Sequence, residues 1–180
     1  MPSFTSPHPR YQQSFLACAQ EIIDAGENEQ WTGLTVFTEE PHTVEELADP
    51  DAFADFTERL RDLALPETAR PEGKVAMTTL WWVDGDEYLG RLAIRHELTD
   101  FLREVGGHIG YAVRPFARHR GNASAMLAAA LPIASGLGID PALVTCDADN
   151  IGSRRVIESN GGMLEDQRED KLRFWVPTSC

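Results

Sequence analysis

The 180-residue sequence has no apolar run of about 18 residues, so a membrane-spanning helix is not expected. Its first ten residues, Met-Pro-Ser-Phe-Thr-Ser-Pro-His-Pro-Arg, lack the charged and then apolar order of a signal peptide. Cysteine is scarce. Cys18, Cys146 and Cys180 are odd in number and widely spaced, and they make neither a metal-ligand pattern nor a disulfide framework. No metal is expected, and a reduced, cytoplasmic protein is the simplest account. Cys146 falls in an apolar strand-like run and reads as core rather than as a nucleophile. Repeats and low-complexity segments are absent. Positive charge is scarce too: 16 Lys and Arg stand against 29 Asp and Glu, for a net charge of -13. That balance offers no broad basic face, so nucleic acid is not expected as a partner. With 42% hydrophobic and 25% charged residues, the composition fits one soluble domain over 1–180, its first ten residues an extended lead-in with three prolines.

Because basic residues are few, the place where they gather is informative. Between Gly106 and Pro132 there is no acid, and Arg114, Arg118 and Arg120 lie close together. His108 to Val113 reads as a strand, and Pro115, with no N–H to give, stops it. Leu127, Leu131 and Ala134 then follow i, i+4, i+7 spacing, which argues for a helix with one buried stripe. Between them lies Arg118-His119-Arg120-Gly121-Asn122-Ala123. The order is strand, basic glycine turn, helix N-terminus. Such an end presents unpartnered N–H groups and the positive end of the macrodipole, which suits phosphate. Gly121 allows close approach of a ligand, and Arg118 and Arg120 add full charges. The plain alternative is a solvated loop.

The rest of the chain supplies a frame. Tyr11, Phe15, Cys18, Ala19, Ile22 and Ile23 fall on one helical face, and Gly26 is a stop. Thr43-Val-Glu-Glu46 matches a capping box, and Asp49-Pro50 offers a better helix start, continued by the stripe Phe53, Phe56, Leu60, Leu63. Val75 to Val83 is a strand, Asp84-Gly85 a hairpin signal, and Tyr88 to His96 the returning strand. Glu97 to Gly107 holds a turn of helix or an irregular link. Pro132 should bend or divide the helix that follows the basic turn. A buried strand (142–147), a short helix (153–160) capped by Gly161-Gly162, and a final hairpin (163–168 and 172–176) complete the pattern. Periodicity alone supports an α+β or α/β sandwich.

Arg118-x-x-Gly121-x-Ala123 resembles the R/Q-x-x-G-x-G/A loop of the GCN5-related N-acetyltransferases, and Asn150-Ile-Gly-Ser153 within Val144 to Gly162 is similar to that family's strand, N-x-x-S/A and short helix. The two motifs in this order are far more specific than either alone. The local wording, Arg95-His96-Glu97-Leu98 and Gly107-His108-Ile109-Gly110-Tyr111, looks like a poorly characterised bacterial branch. The resemblance implies an α/β (α+β sandwich) fold with a mixed, mostly antiparallel central sheet flanked by helices. It implies acetyl-CoA as co-substrate, held by Tyr111, Ala112, Val113, Arg118, His119, Arg120, Gly121, Asn122, Ala123, Asn150 and Ser153. The backbone N–H near Val113 would face the acetyl carbonyl. Asn150 and Ser153 have a plain alternative as helix caps.

The expected activity is acetyl transfer to a primary amine of a small cationic metabolite or antibiotic. A protein or peptide amine, and a non-catalytic acyl-CoA-binding module, are the alternatives, and a homodimer is left open. Glu97 and His108 are the catalytic candidates, with His96 beside them as a further base. Each also reads as an ordinary surface or hydrogen-bonding residue. Trp81, Trp82 and Tyr111 could line an acceptor pocket or fill the core, and Asp84, Asp86, Glu87 and Glu97 would steer a cationic amine. The family's tyrosine, seven residues after the Asn, is Ile157 here, and the aromatic after the closing Gly is Gly162, so no general acid carries over.

Overall fold

The computed structural model describes residues 1–27 and 42–179; Cys180 lies outside them. In chain order the strands are β1 (Ser3–Thr5), β2 (Met77–Asp84), β3 (Glu87–Arg95), β4 (Ile109–Val113), β5 (Ala142–Asp147), β6 (Met163–Arg168) and β7 (Lys171–Val176). The helices are α1 (Gln12–Asp24), α2 (Val44–Leu47), α3 (Pro50–Asp62), α4 (Asp100–Glu104), α5 (Asn122–Gly136) and α6 (Ile151–Ser159). The strands form one sheet in the order β1-β2-β3-β4-β5-β7-β6. Every neighbouring pair is antiparallel except β4 and β5, which run parallel.

Side-chain alternation gives the sheet two apolar faces. On one, Trp81, Val83, Tyr88 and Ala93 meet α1 and α3 through Tyr11, Phe15, Phe53, Phe56 and Leu60. Phe15 stacks on Trp81 with ring centroids 5.3 Å apart and meets Phe53 edge-on at 5.4 Å. On the other, Leu92, Ile94, Ile109, Val144 and Phe174 pack against Met126, Leu127, Ala130 and Ala134 of α5 and Ile157 of α6. Both helix starts read between Thr43 and Pro50 exist. Thr43 and Glu46 form a capping box on α2, and Asp49 accepts from the N–H groups of Asp51 and Ala52 at the start of α3.

Three local expectations are corrected. The lead-in is not merely extended: Ser3–Thr5 pairs with β2, and Phe4 meets Trp82 edge-on at 4.8 Å. Ile23 is 41% exposed while Ile22 beside it in the same turn is 4% exposed, so Ile23 falls at the solvent edge of the buried stripe. Pro132 does not divide α5, which continues to Gly136. Pro132 and Ala128, whose carbonyl loses its helical donor, are both exposed, so water can take that bond.

β4 and β5 share a single residue pair, Ile109 with Val144. The end before that pair is locked. His108 N–H donates to Leu143 O at 2.7 Å, and Leu143 N–H donates back to His108 Nδ1 at 2.9 Å. Nδ1 is therefore the unprotonated nitrogen. Gly107 sits at φ +60, where a Cβ would lie 2.4 Å from Leu143 O. Gly107→Ala is expected to cost at least about 2 kcal/mol, combining left-handed strain with overpacking against backbone. Denaturant unfolding measures this, and an unchanged midpoint would contradict the close approach.

His108 is 9% exposed. Burial, with Arg103 and Arg95 nearby, pushes its pKa down from 6.5 to about 4. A lowered histidine favours the neutral ring in the folded state. Its contribution is fully present above 6.5 and is lost as the pH falls toward 4. The amount is on the order of 3 kcal/mol. In His108→Asn this part of the pH dependence should vanish, as measured by unfolding free energies across that window.

Candidate active site

Beyond Ile109 and Val144 the two parallel strands part, and a cleft of about 950 Å³ opens between Gly110–Val113 and Thr145–Asp147. Backbone alternation decides which β4 groups face it. Arg114 N–H donates to Leu89 O at 2.8 Å, toward β3, and Ala112 is paired with Arg91. The N–H groups of Tyr111 and Val113, one residue out of phase, therefore point away from β3 into the cleft. Val113 O points the same way and accepts from Arg118 Nε at 3.1 Å.

At the far end of β4 the chain turns through Pro115–Ala117 into the basic loop. His119 and Gly121 have φ of 58 and 81. Such reversals let consecutive N–H groups face one side. Gly121 is the N-cap of α5 and no side chain among the described residues caps this helix. Its first-turn N–H groups are therefore available to a ligand. The loop is anchored from behind: Trp82 Nε1 donates to Asn122 Oδ1 at 3.1 Å, and Asn122 Nδ2 donates to Ala117 O at 2.9 Å.

The arginines differ from expectation. Arg118 donates from both terminal nitrogens to Glu27 at 2.5 and 2.8 Å, which holds the Glu27 carboxyl below its usual range. Arg114 is buried and donates to Glu21 at 2.7 and 3.0 Å, to Ser14 and to Tyr88 O. Arg120 lies outside the cleft lining, its guanidinium 5.6 Å from the Phe116 ring. Of the two charges read as phosphate ligands, Arg118 is thus engaged by an acid just past α1 and Arg120 stands outside the cleft, while the neighbouring Arg114 is held by Glu21.

On the opposite wall, Asn150 caps α6 by accepting from Ser153 N–H at 2.9 Å, and Ser153 Oγ lies 2.7 Å from Tyr111 Oη. Both Asn150 and Ser153 also line the cleft. Ile157 is fully buried beneath α6. The lining also includes Cys18 of α1, Arg91, Arg95 and Thr145, together with Asp147 and Lys171, which form an ion pair. Burial pushes the Cys18 thiol up to about 12 and the Arg91 and Arg95 guanidiniums down to about 10. Sequence reading passed over these residues. The available signal was Arg91, a charge inside the apolar run Leu89 to Ile94.

Of the expected cofactor residues, Tyr111, Ala112, Val113, Arg118, His119, Gly121, Asn122, Ala123, Asn150 and Ser153 line the cleft and Arg120 does not. Glu97 is exposed on the bend after β3, His108 sits at the locked junction, and His96 Nε2 lies 2.8 Å from Thr78 Oγ1. None of these three lines the cleft. Trp81 and Trp82 are buried, one in each core, and Asp84, Asp86 and Glu87 stand at the β2–β3 turn. Among the described residues no group of His, Cys, Asp and Glu is placed to hold a metal, and no helix is long and apolar enough to cross a membrane.

Residues 23–163 match the family model described as "Acetyltransferase (GNAT) domain". No curated protein matches the sequence. Among solved structures, the microcin C7 self-immunity acetyltransferase MccE, in complex with acetyl-CoA and AMP, is 12% identical with a TM-score of 0.65, covering 98% of this chain and 92% of that one. RimJ of Mycobacterium smegmatis, in complex with CoA-disulfide, is 18% identical with a TM-score of 0.66, covering 98% and 81%. RimL, a ribosomal L7/L12 alpha-N-protein acetyltransferase in complex with coenzyme A, is 14% identical with a TM-score of 0.61, covering 97% and 92%. Identities this low establish a common fold. The family match spans more than half of the chain and includes the loop, the parted strands and α6, so the chain belongs to the GNAT family and is an N-acetyltransferase.

Proposed function

We propose that this enzyme transfers the acetyl group of acetyl-CoA to the primary amine of a small molecule, which enters the cleft from the side of Arg91 and Arg95. The observation that carries this reading is the parted strand pair, with the Val113 N–H aimed into the gap and an uncapped α5 N-terminus at its end. The residues fit the co-substrate. A Cβ built on Gly121 meets nothing within 4 Å, so the loop leaves open space there for a pyrophosphate. Acetyl-CoA supplies the activated thioester. Val113 N–H would stabilise negative charge on its carbonyl oxygen, and the first-turn N–H groups of α5 would hold the phosphates.

The amine must react in neutral form. His96, Glu97 and His108 stand outside the cleft, and among the described residues its carboxylates are Glu27 and Asp147, paired with Arg118 and Lys171. A dedicated base is not required. The same desolvation that shifts Cys18, Arg91 and Arg95 disfavours an ammonium at this end, so an amine bound there loses its proton to solvent on entry. Asp84, Asp86, Glu87 and Glu97 stand outside the lining, so a second positive charge on the acceptor gains only the general field of a -13 protein.

Purified protein with acetyl-CoA, polyamines, aminoglycosides, amino acids and short peptides tests the reading. Thiol release should require an acceptor and should be fastest with a small primary amine. Release with peptides alone would move the acceptor to polypeptide chains. Gly121→Val should fold and weaken CoA binding at least tenfold, equivalent to about 1.4 kcal/mol, because a branched side chain would occupy the open space and resist φ +81. Calorimetry giving an unchanged affinity would remove the phosphate role of this turn.

A further inference from the structure

Acyl transfer from a thioester leaves a thiolate, and the hydrocarbon at Ile157 cannot protonate it. Tyr111 lies two residues beyond Ile109 on β4, and Cys146 two residues beyond Val144 on β5. Both residues therefore stand just past the last point where the strands are joined, and both belong to the cleft lining. Tyr111 Oη is held 2.7 Å from Ser153 Oγ, and Ser153 is itself fixed through its N–H by Asn150. Ser153 and Ile157 are four residues apart on α6, so they share one helix face. The hydroxyl pair thus stands one turn before Ile157, on the same side of the helix.

We propose that the Tyr111 hydroxyl is the proton donor to the leaving sulfur and that Ser153 is its positioning residue, an assignment that rests on the acetyltransferase reading above. Once the amine nitrogen has bonded to the carbonyl carbon, Tyr111 gives its proton to sulfur as the C–S electron pair moves onto that atom. The phenolate is held by the Ser153 O–H. It regains a proton through solvent from the nitrogen, which starts with two N–H bonds as a primary amine and keeps one as an amide. Overall one proton passes from nitrogen to sulfur and the phenol is restored. Burial pushes Tyr111 up to about 12, so the donor stays protonated throughout neutral and mildly alkaline pH. Of the two hydroxyls the phenol is the stronger acid. Cys146, the other group at this level, is 7% exposed and packed in the α5-side core.

The test uses Tyr111→Phe, Ser153→Ala and Ser153→Thr in the full chain, with two readouts. The first is the pKa of the thiol of bound CoA, followed by thiolate absorbance. A hydroxyl donating to the thiolate lowers that pKa, so Tyr111→Phe should raise it by one unit or more. The second is kcat and KM. Tyr111→Phe should lower kcat at least tenfold while CoA affinity at pH 7 stays within threefold of wild type. Ser153→Ala should lower kcat by a smaller factor and Ser153→Thr should restore it. A folded Tyr111→Phe variant with unchanged bound-thiol pKa and kcat within twofold of wild type overturns the proposal and leaves the acetyltransferase reading standing. Loss of CoA affinity in step with kcat also overturns it, since that marks a structural role. A wild-type protein that binds no CoA overturns the reading and the proposal together.

Discussion

The single parallel pair, Ile109 with Val144, is the constraint on which the rest of the site depends. β4 follows β3 through five paired residues and β5 follows β7 through six, so each strand obeys its own antiparallel partner. Sheet twist carries strands apart wherever ladder bonds do not hold them together. The locked end supplies the hinge of the V: His108 and Leu143 exchange two bonds, and Gly106 N–H donates to Thr145 Oγ1 at 3.0 Å. Beyond the hinge, the β5-facing backbone groups of β4 have no strand among the described residues to pair with. Leaving such a group buried and unsatisfied costs about 1–3 kcal/mol. The cleft must therefore hold water or a ligand with its own donors and acceptors. An open parallel edge inside a domain is a binding site because of this unmet hydrogen bonding.

The basic turn serves that opening in a way that differs from its reading as a row of free charges. Arg118 satisfies Val113 O with Nε and holds Glu27 with its two terminal nitrogens. Arg114, four residues earlier, is buried against Glu21, Ser14 and Tyr88 O. Both pairs join α1 and its end to the exit of β4. Arg114 is the buried member, and removing Glu21 would leave its charge uncompensated, so that contact fixes the spacing between helix and strand more than it adds net stability, whereas the partly exposed Arg118–Glu27 pair is a weaker tie. With those charges engaged, what this turn offers an anion is chiefly its backbone: the uncapped first turn of α5, set in place by Asn122 and Trp82.

Much of the architecture was legible because its signals are local. β5 occupies the stretch marked by its apolar run, the Asp84-Gly85 hairpin forms, and the last two strands flank a turn at Glu169-Asp170. Both helix starts near Thr43 and Asp49 form because each cap is satisfied within three residues. The loop residues reach the cleft because the strand–turn–helix order alone positions them. What escaped depends on distant partners. β1 exists through register with β2, some eighty residues later. The state of Arg118 depends on Glu27, and that of His108 on Leu143. Sequence distance hides these contacts, and with them the difference between a histidine that titrates in a site and one locked neutral in a strand junction.

The two departures from the family pattern, Ile157 and Gly162, are physically one feature. The chain reverses after α6 so tightly that Gly162 N–H donates to Ile157 O at 3.0 Å. A Cβ at Gly162 would lie 2.5 Å from Ile157 Cγ2 and 2.8 Å from Ile157 O. Any side chain at 162 would therefore displace Ile157 or the backbone of the helix end. Ile157 in turn is fully buried and packs with Ile109, Val144 and Phe174, the residues at the base of the V. A tyrosine at 157 would need room for a ring and a path for its hydroxyl to the cleft, through a core packed for a branched aliphatic chain. The turn at Gly162 and the packing at Ile157 thus hold each other in place. The hydroxyl at this level of the cleft comes instead from β4, where Tyr111 reaches Ser153 without disturbing that core.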